Sequence, residues 1–321
     1  MRGKRRKERM ILKNATLHIG NGEVFQGDMR IADGKIVEVG KNINGDESRS
    51  LNGKHVFPGF IDSGNFLGAQ DMAFFAKDYN ENSNPVTPYL DIWHSIDPDE
   101  LSLQELYKAG ITSMLVTPGN EGILGGTCTV VKTKGKNINK ITVKRDAAMK
   151  ASMTSEVIRV FSGKGSPQTP MALIAMLKTA LQTTEYANDY RSQRTKEVMD
   201  AVREGRMPIL VACETAPEME RFLEATKEYT KMKIIFTLSY EADRCADAIK
   251  KRGAAVVLGD TSRNATHLVH RMDFAKLMNM AEDGTKVGLT VLGPNMAWGR
   301  EMLLWNCLLY TSPSPRDYAA S

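Results

Sequence analysis

Five short, nearly continuous apolar runs recur along the chain after residue 110: ITSMLVTPG at 111–119, MPILVACE at 207–214, KIIFTLS at 233–239, AAVVLGD at 254–260 and KVGLTVLGP at 286–294. Runs of this length without polar alternation mark strands covered on both faces, as in a parallel sheet. Between them lie amphipathic stretches of helical period, roughly 99–108, 170–185, 192–204, 216–230, 241–252 and 268–282. Thr215, Pro217 and Glu218 place a hydroxyl cap, a first-turn proline and an acid at one helix start, and Asp99 can cap another. Strand, helix, strand at this spacing predicts an α/β fold, either an open doubly wound sheet or a closed barrel.

The first part of the chain has a different period. ILKNATLHI, a turn at Gly20-Asn21-Gly22, and GDMRIADGKIVEVG with a hairpin turn at Asp33-Gly34 predict a small antiparallel sheet. So small a sheet cannot bury both faces and needs a second sheet or a neighbouring domain.

Charge and composition then exclude several function classes. The first ten residues hold six basic side chains against one acid, which accounts for the whole formal charge of +5 and leaves the rest neutral. No net field therefore supports a nucleic-acid surface on the folded part. Residues 1–9 read either as a basic arm or as mistranslated sequence upstream of Met10, with codons resembling a bacterial ribosome-binding site. Residues 307–321, with Ser-Pro steps and no apolar period, read as a non-native tail, so the chain is expected to be a fragment with natural sequence to about residue 306. No apolar run approaches the ~18 residues of a membrane span. Four Cys without a CxxC pair predict a reducing, cytoplasmic setting. No GxGxxG or GxxxxGK[ST] follows the first strand, and the cluster Gly122, Gly125, Gly126 reads as a turn.

The run Val56-Phe57-Pro58-Gly59-Phe60-Ile61-Asp62 resembles the start of the first barrel strand of the amidohydrolase superfamily, where Pro-Gly-[Leu/Phe]-Ile-Asp precedes His-x-His. Further pieces resemble imidazolonepropionase-like members in order and spacing: Asn84 to Pro88, Asp97-Pro98, Ala109 to Thr112, and Pro118-Gly119 through Gly125-Gly126. The resemblance spans about residues 10–300. It implies a distorted (β/α)8 TIM barrel of the metal-dependent hydrolase type over 56–306, incomplete at its C-terminus, beside a small, incomplete β-sandwich that includes residues 10–55.

That family holds zinc or another divalent metal at the C-terminal ends of the barrel strands, where metal can polarise water and the scissile carbonyl. Carried over position by position, the expected ligands are replaced. The first His pair falls on Gly64 and Phe66; the fifth-strand position falls on Ala212, with Glu214 at the second His of that motif; the sixth-strand His falls on Thr237, and the eighth-strand aspartate on Leu292. Residues 148–156 resemble a helix-like family segment with a lysine, matched by Lys150, and an acid, matched by Ser155 with Glu156 one place late. None of the five His, at 18, 55, 94, 267 and 270, sits at a ligand position.

Asp62, Lys150, Glu214 and Asp260 remain as a candidate pocket, with Asp62 more suited to orienting or capping than to ligating. Three oxygens from Asp62, Glu214 and Asp260 could hold a hard cation weakly. A Cys213 nucleophile would need a bulge to share a pocket with Glu214, because neighbouring strand residues face opposite ways. The expected role is a degenerate, non-catalytic amidohydrolase-family protein without a retained metal, serving as a binding or partner subunit for an active paralogue, as a homo-oligomer, or for a small-molecule ligand. The alternative is an active hydrolase of cyclic-amide carbon–nitrogen bonds. Neither nucleic acid nor membrane is an expected partner.

Overall fold

The computed structural model describes residues 9–20, 22–45, 47–70, 77–258 and 274–291. The chain divides into two compact units, with the boundary between Phe60 and Ile61.

In the first unit, strands β1 (Arg9–His18), β2 (Val24–Ala32) and β3 (Lys35–Gly40) form the antiparallel meander that the alternation predicts, with Asp33 and Gly34 both at positive φ in the hairpin. Two short strands, β4 (Ser48–Ser50) and β5 (His55–Val56), then pair parallel with β1. Ala15, Leu17 and Met29 form a small core on this sheet. Edge strand β3 leaves Ile36, Val37 and Val39 exposed. The described residues of this unit make one five-stranded sheet, and they do not themselves supply the second layer of a sandwich.

The second unit is an eight-stranded sheet whose strands lie in sequence order: β6 (Phe60–Asn65), β7 (Ile111–Val116), β8 (Leu124–Lys132), β9 (Thr142–Ser152), β10 (Ile209–Cys213), β11 (Ile234–Leu238), β12 (Ala255–Leu258) and β13 (Val287–Leu289). All five apolar runs are strands. The longer helices follow the predicted stretches, as α1 (Leu101–Lys108) before β7 does; α2 (Ile138–Ile141), a single turn before β9, lies outside them. Then α3 (Ser155–Phe161), α4 (Pro170–Gln182) and α5 (Tyr190–Arg203) link β9 to β10. Among the described residues one α-helix precedes each later strand: α6 (Ala216–Ala225), α7 (Ala246–Arg252) and α8 (Phe274–Glu282).

The regular alternation breaks at one place. β8 runs antiparallel to both β7 and β9, with no helix between β7 and β8 and only the single turn of α2 between β8 and β9. Gly125 and Gly126, expected in a turn, lie inside β8. Gly126 has φ +113°, and a Cβ there would approach the Leu90 carbonyl oxygen to 2.8 Å, so the backbone of the preceding loop occupies the space of a side chain. Residues 148–152, expected in a helix-like segment, are the end of β9. The helix begins only at Ser155, after Thr154.

The two faces of the sheet have separate cores. Met149, Ile209, Val211, Cys213, Phe236 and Val256 pack outward against the helices. Cys128, Ala148 and Leu210, with Leu115 and Ile235, pack on the inner face, joining side chains from five strands. The period of two along each strand produces this division. In α6, Ala216, Met219 and Phe222 point to the sheet, and Phe222 meets Phe236 edge-on at 6.0 Å between ring centroids. Burying such a ring contributes roughly 2–3 kcal/mol.

Two side chains, Asp62 and Thr290, link the first strand to the residues after the last, the Thr290 hydroxyl also lying 2.8 Å from the Gly64 carbonyl oxygen. Asp62 on β6 accepts hydrogen bonds from the Val291 backbone N–H at 2.9 Å and from the Thr290 hydroxyl at 2.9 Å, both just beyond β13. The eight strands thereby form a nearly closed barrel. No helix among the described residues is long and apolar enough to cross a membrane.

Candidate functional site

The C-terminal ends of the barrel strands carry the polar residues. A cavity of about 270 Å3 opens there, lined by residues at or after the ends of five strands: Phe66 after β6, Asn120 and Glu121 after β7, Thr154 and Glu156 after β9, Glu214 after β10, and Leu238 at the end of β11. Lys77, Tyr79 and Asn80, from the long segment between β6 and β7, complete the lining. Strand ends are where a β/α barrel builds sites, because the loops there vary while the sheet holds their roots.

Glu214 directly follows the β10 run, on the side opposite Cys213, which is buried in the outer core. Its backbone N–H donates to Glu218 Oε2 at 2.7 Å, and the Thr215 N–H donates to the same oxygen at 3.2 Å. This is the acid half of the capping box at the start of α6, as the Thr215, Pro217, Glu218 pattern predicts. The cap brings a second carboxylate beside Glu214. Burial, then the negative charges of Glu218 and Glu156, raise the Glu214 carboxyl to about 7.

The other two acids have partners. Glu121 accepts from Lys77 Nζ at 3.3 Å and from Asn82 Nδ2 at 2.5 Å. Glu156 forms a two-nitrogen ion pair with Arg159, which holds its carboxyl below the usual range. Phe66 stacks on Tyr79, 4.0 Å between centroids with an 18° interplanar angle. The Tyr79 hydroxyl is pushed up to about 12 by burial and by Glu121 and Glu156.

The sequence-derived pocket is divided by the fold. Of Asp62, Lys150, Glu214 and Asp260, Glu214 lines this cavity. Asp62 is fully buried, and its oxygens take the N–H of Gly64 at 2.9 Å as well as the two donors beyond β13; burial raises its carboxyl. Lys150 is 1% exposed on β9, in register with Leu210 of β10, and its amine has no hydrogen bond or ion pair among the described residues. Burial lowers that amine to about 8. Asp260 lies outside the described residues, as do Leu292, His267 and His270.

At the matching ligand positions the side chains offer no metal donor set. Gly64 has none, and a Cβ there would sit 3.3 Å from Leu210 and 3.4 Å from Thr117. Phe66 gives a phenyl ring, Ala212 a methyl packed with Leu238 and Tyr240, and Thr237 a buried hydroxyl. Among the described residues no group of three or more His, Cys, Asp or Glu is placed to hold a metal ion. Among the described residues, the donors present do not fit the zinc or other divalent metal implied by the resemblance.

Tyr79, Asn80, Asn120 and Glu121 were not singled out in the sequence. The strand-end rule applied to residues 111–119 reaches Asn120 and Glu121 directly. Nothing local marks Tyr79 or Asn80, which lie between elements.

No family model matches the sequence, and no curated protein matches it. Solved structures do. An amidohydrolase from Thermotoga maritima MSB8 superposes with a TM-score of 0.84 at 20% identity, over 96% of this chain and 85% of that one. A molinate hydrolase gives a TM-score of 0.44 at 11% identity, over 89% and 73% of the two chains. An uncharacterized metal-dependent hydrolase from Pyrococcus furiosus gives 0.39 at 11%, over 91% and 87%. At 0.84 the first defines a shared fold, whereas the other two superpose too loosely to do so. The resemblance read from Pro58 to Asp62 is thus borne out in the architecture: this chain has an amidohydrolase fold.

Proposed function

We propose that the chain is a non-catalytic amidohydrolase-type barrel that binds a small molecule at its strand ends and serves as a partner subunit. One observation carries this reading. Gly64, Phe66, Ala212 and Thr237 stand at four ligand positions without an imidazole or carboxylate, while a cavity lined by polar side chains persists beside them. Fold alone would argue for hydrolysis, but activity resides in the site and not in the scaffold.

Elemental analysis of protein incubated with zinc or manganese tests it. The expected content is well below one metal per chain; near-stoichiometric metal that is lost in Glu214→Ala would overturn the reading. The proposed partner is an active paralogue that retains His-x-His after Pro-Gly-[Leu/Phe]-Ile-Asp, or a second copy of this chain. Co-expression and size-exclusion chromatography should give a joint peak with the paralogue or a homo-oligomer. Independent elution of both as monomers at micromolar concentration rejects the partner role.

A second reading, hydrolysis of cyclic-amide carbon–nitrogen bonds, is favoured by Glu214. A carboxyl that titrates near 7 within a cavity can exchange a proton with substrate at neutral pH. Turnover of a hydantoin or imidazolone that disappears in Glu214→Gln would establish it over the first.

A further inference from the structure

Among the described residues, the charges around the strand-end cavity do not balance. Lys77 is committed to Glu121 and Arg159 to Glu156. The Glu214 side chain makes neither a hydrogen bond nor an ion pair among the described residues, and the charged groups closest to it in influence, Glu218 and Glu156, carry the same sign. A carboxylate ligand would therefore meet repulsion, while a cation would find a counter-charge without displacing an existing pair.

Two more features of the lining favour a cation with an apolar body. The Phe66–Tyr79 stack and Leu238 give an apolar wall, and aromatic rings attract cations through their quadrupole. Asn120 contributes a side-chain oxygen that is buried and accepts no hydrogen bond among the described residues, so an N–H donor would satisfy it. At about 270 Å3 the cavity lies just under the roughly 300–1,000 Å3 of drug-sized sites, which limits the ligand to a small molecule.

We infer that this cavity takes a small organic monocation, an amine or guanidine, with Glu214 as its counter-charge, the Asn120 oxygen as acceptor and the Phe66–Tyr79 stack against its apolar part. The inference rests on the reading of the cavity as a binding site.

Benzylammonium, benzyl alcohol and phenylacetate have similar bodies and differ in charge. Titrated into the full chain by calorimetry, with melting temperature as a second readout, benzylammonium should bind and stabilise, the alcohol should bind about tenfold or more weaker, and phenylacetate should give no response. In Glu214→Gln, benzylammonium affinity should fall by about 10- to 100-fold while the alcohol is unaffected. If that variant fails to fold, Asn120→Asp provides the converse test: an added carboxylate should tighten benzylammonium by about two- to fivefold. Equal affinity for amine and alcohol, no binding of benzylammonium, or an unchanged affinity in both variants would overturn the inference. Metal content separates the two claims. A metal-loaded protein that still prefers benzylammonium rejects the non-catalytic reading alone, and a metal-free protein that ignores every probe rejects the cation site alone.

Discussion

By the resemblance, Gly64 falls where the family places a His, and the backbone at Gly64 disfavours that residue. Its φ of +149° disfavours any L side chain, and a Cβ would press on Leu210 and Thr117. Restoring the family residue with Gly64→His is expected to cost about 1–3 kcal/mol in urea unfolding, with no gain in zinc binding. A variant as stable as the parent would show that the backbone there adapts. Glu214 carries the opposite kind of information, a charge dependence. Its carboxyl takes up a proton near pH 7 when folded and near 4.5 when free, so between these values the folded chain holds more protons than the unfolded chain. Stability should accordingly fall as pH rises from 4.5 to 7, and Glu214→Gln should flatten that part of the profile. Thermal melts across this window in both proteins measure it; an identical slope in each would reject the assignment.

At the scale of the element, β9 connects the inner core to the strand ends and carries Lys150 within it. Burial disfavours the charged form of this amine, which has no partner among the described residues, and lowers it to about 8 from an ordinary 10.5. Between those values the unfolded chain holds the extra proton, so stability rises with pH from 8 to 10.5, by at most about 3 kcal/mol. Lys150→Met keeps the length of the side chain and removes the charge. It should raise the melting temperature at pH 7 and abolish the rise above pH 8; a destabilised Met variant would instead show that the amine has a partner whose loss outweighs the burial of charge. Residues 148–152, which resemble a helix-like segment of the family, form strand for a physical reason. Ala148, Met149, Lys150 and Ala151 are good helix formers with no alternating pattern, because β9 is buried on both faces at its end, and pairing with β8 and β10 overrides local propensity.

The whole second unit depends on joining its ends. Asp62 and the residues just beyond β13 are separated by more than 200 positions in sequence, yet the Asp62 carboxylate and the Thr290 hydroxyl link the first strand to the residues after the last. Asp62→Ala leaves the Val291 N–H and the Thr290 hydroxyl short of that acceptor, and should cost about 3 kcal/mol or more in chemical denaturation. A loss below about 1 kcal/mol would mean that the barrel closes without it. In the sequence Asp62 could be assigned an orienting role only through resemblance, whereas the donors it accepts from are fixed by the fold. The same contrast holds across the molecule. Apolar runs buried on both faces, helical period between them, the Asp33-Gly34 hairpin and the Thr215 to Glu218 helix start were legible in the chain, because backbone period and capping are local properties. The strand reversal at β8 was not legible, since it is set by pairing with β7 and β9 and not by a local pattern. Nor was the cavity: Glu214 was recognised at the end of its run, but Tyr79, Asn80, Asn120 and Glu121 become its neighbours only when five strand ends and a connecting segment meet. The sequence by itself marked the five apolar runs as strands, the first antiparallel meander and most of the helices, but neither β8 nor β9. Tertiary structure alone decided which charges are left without a partner, because pairing depends on distances between residues far apart in the chain.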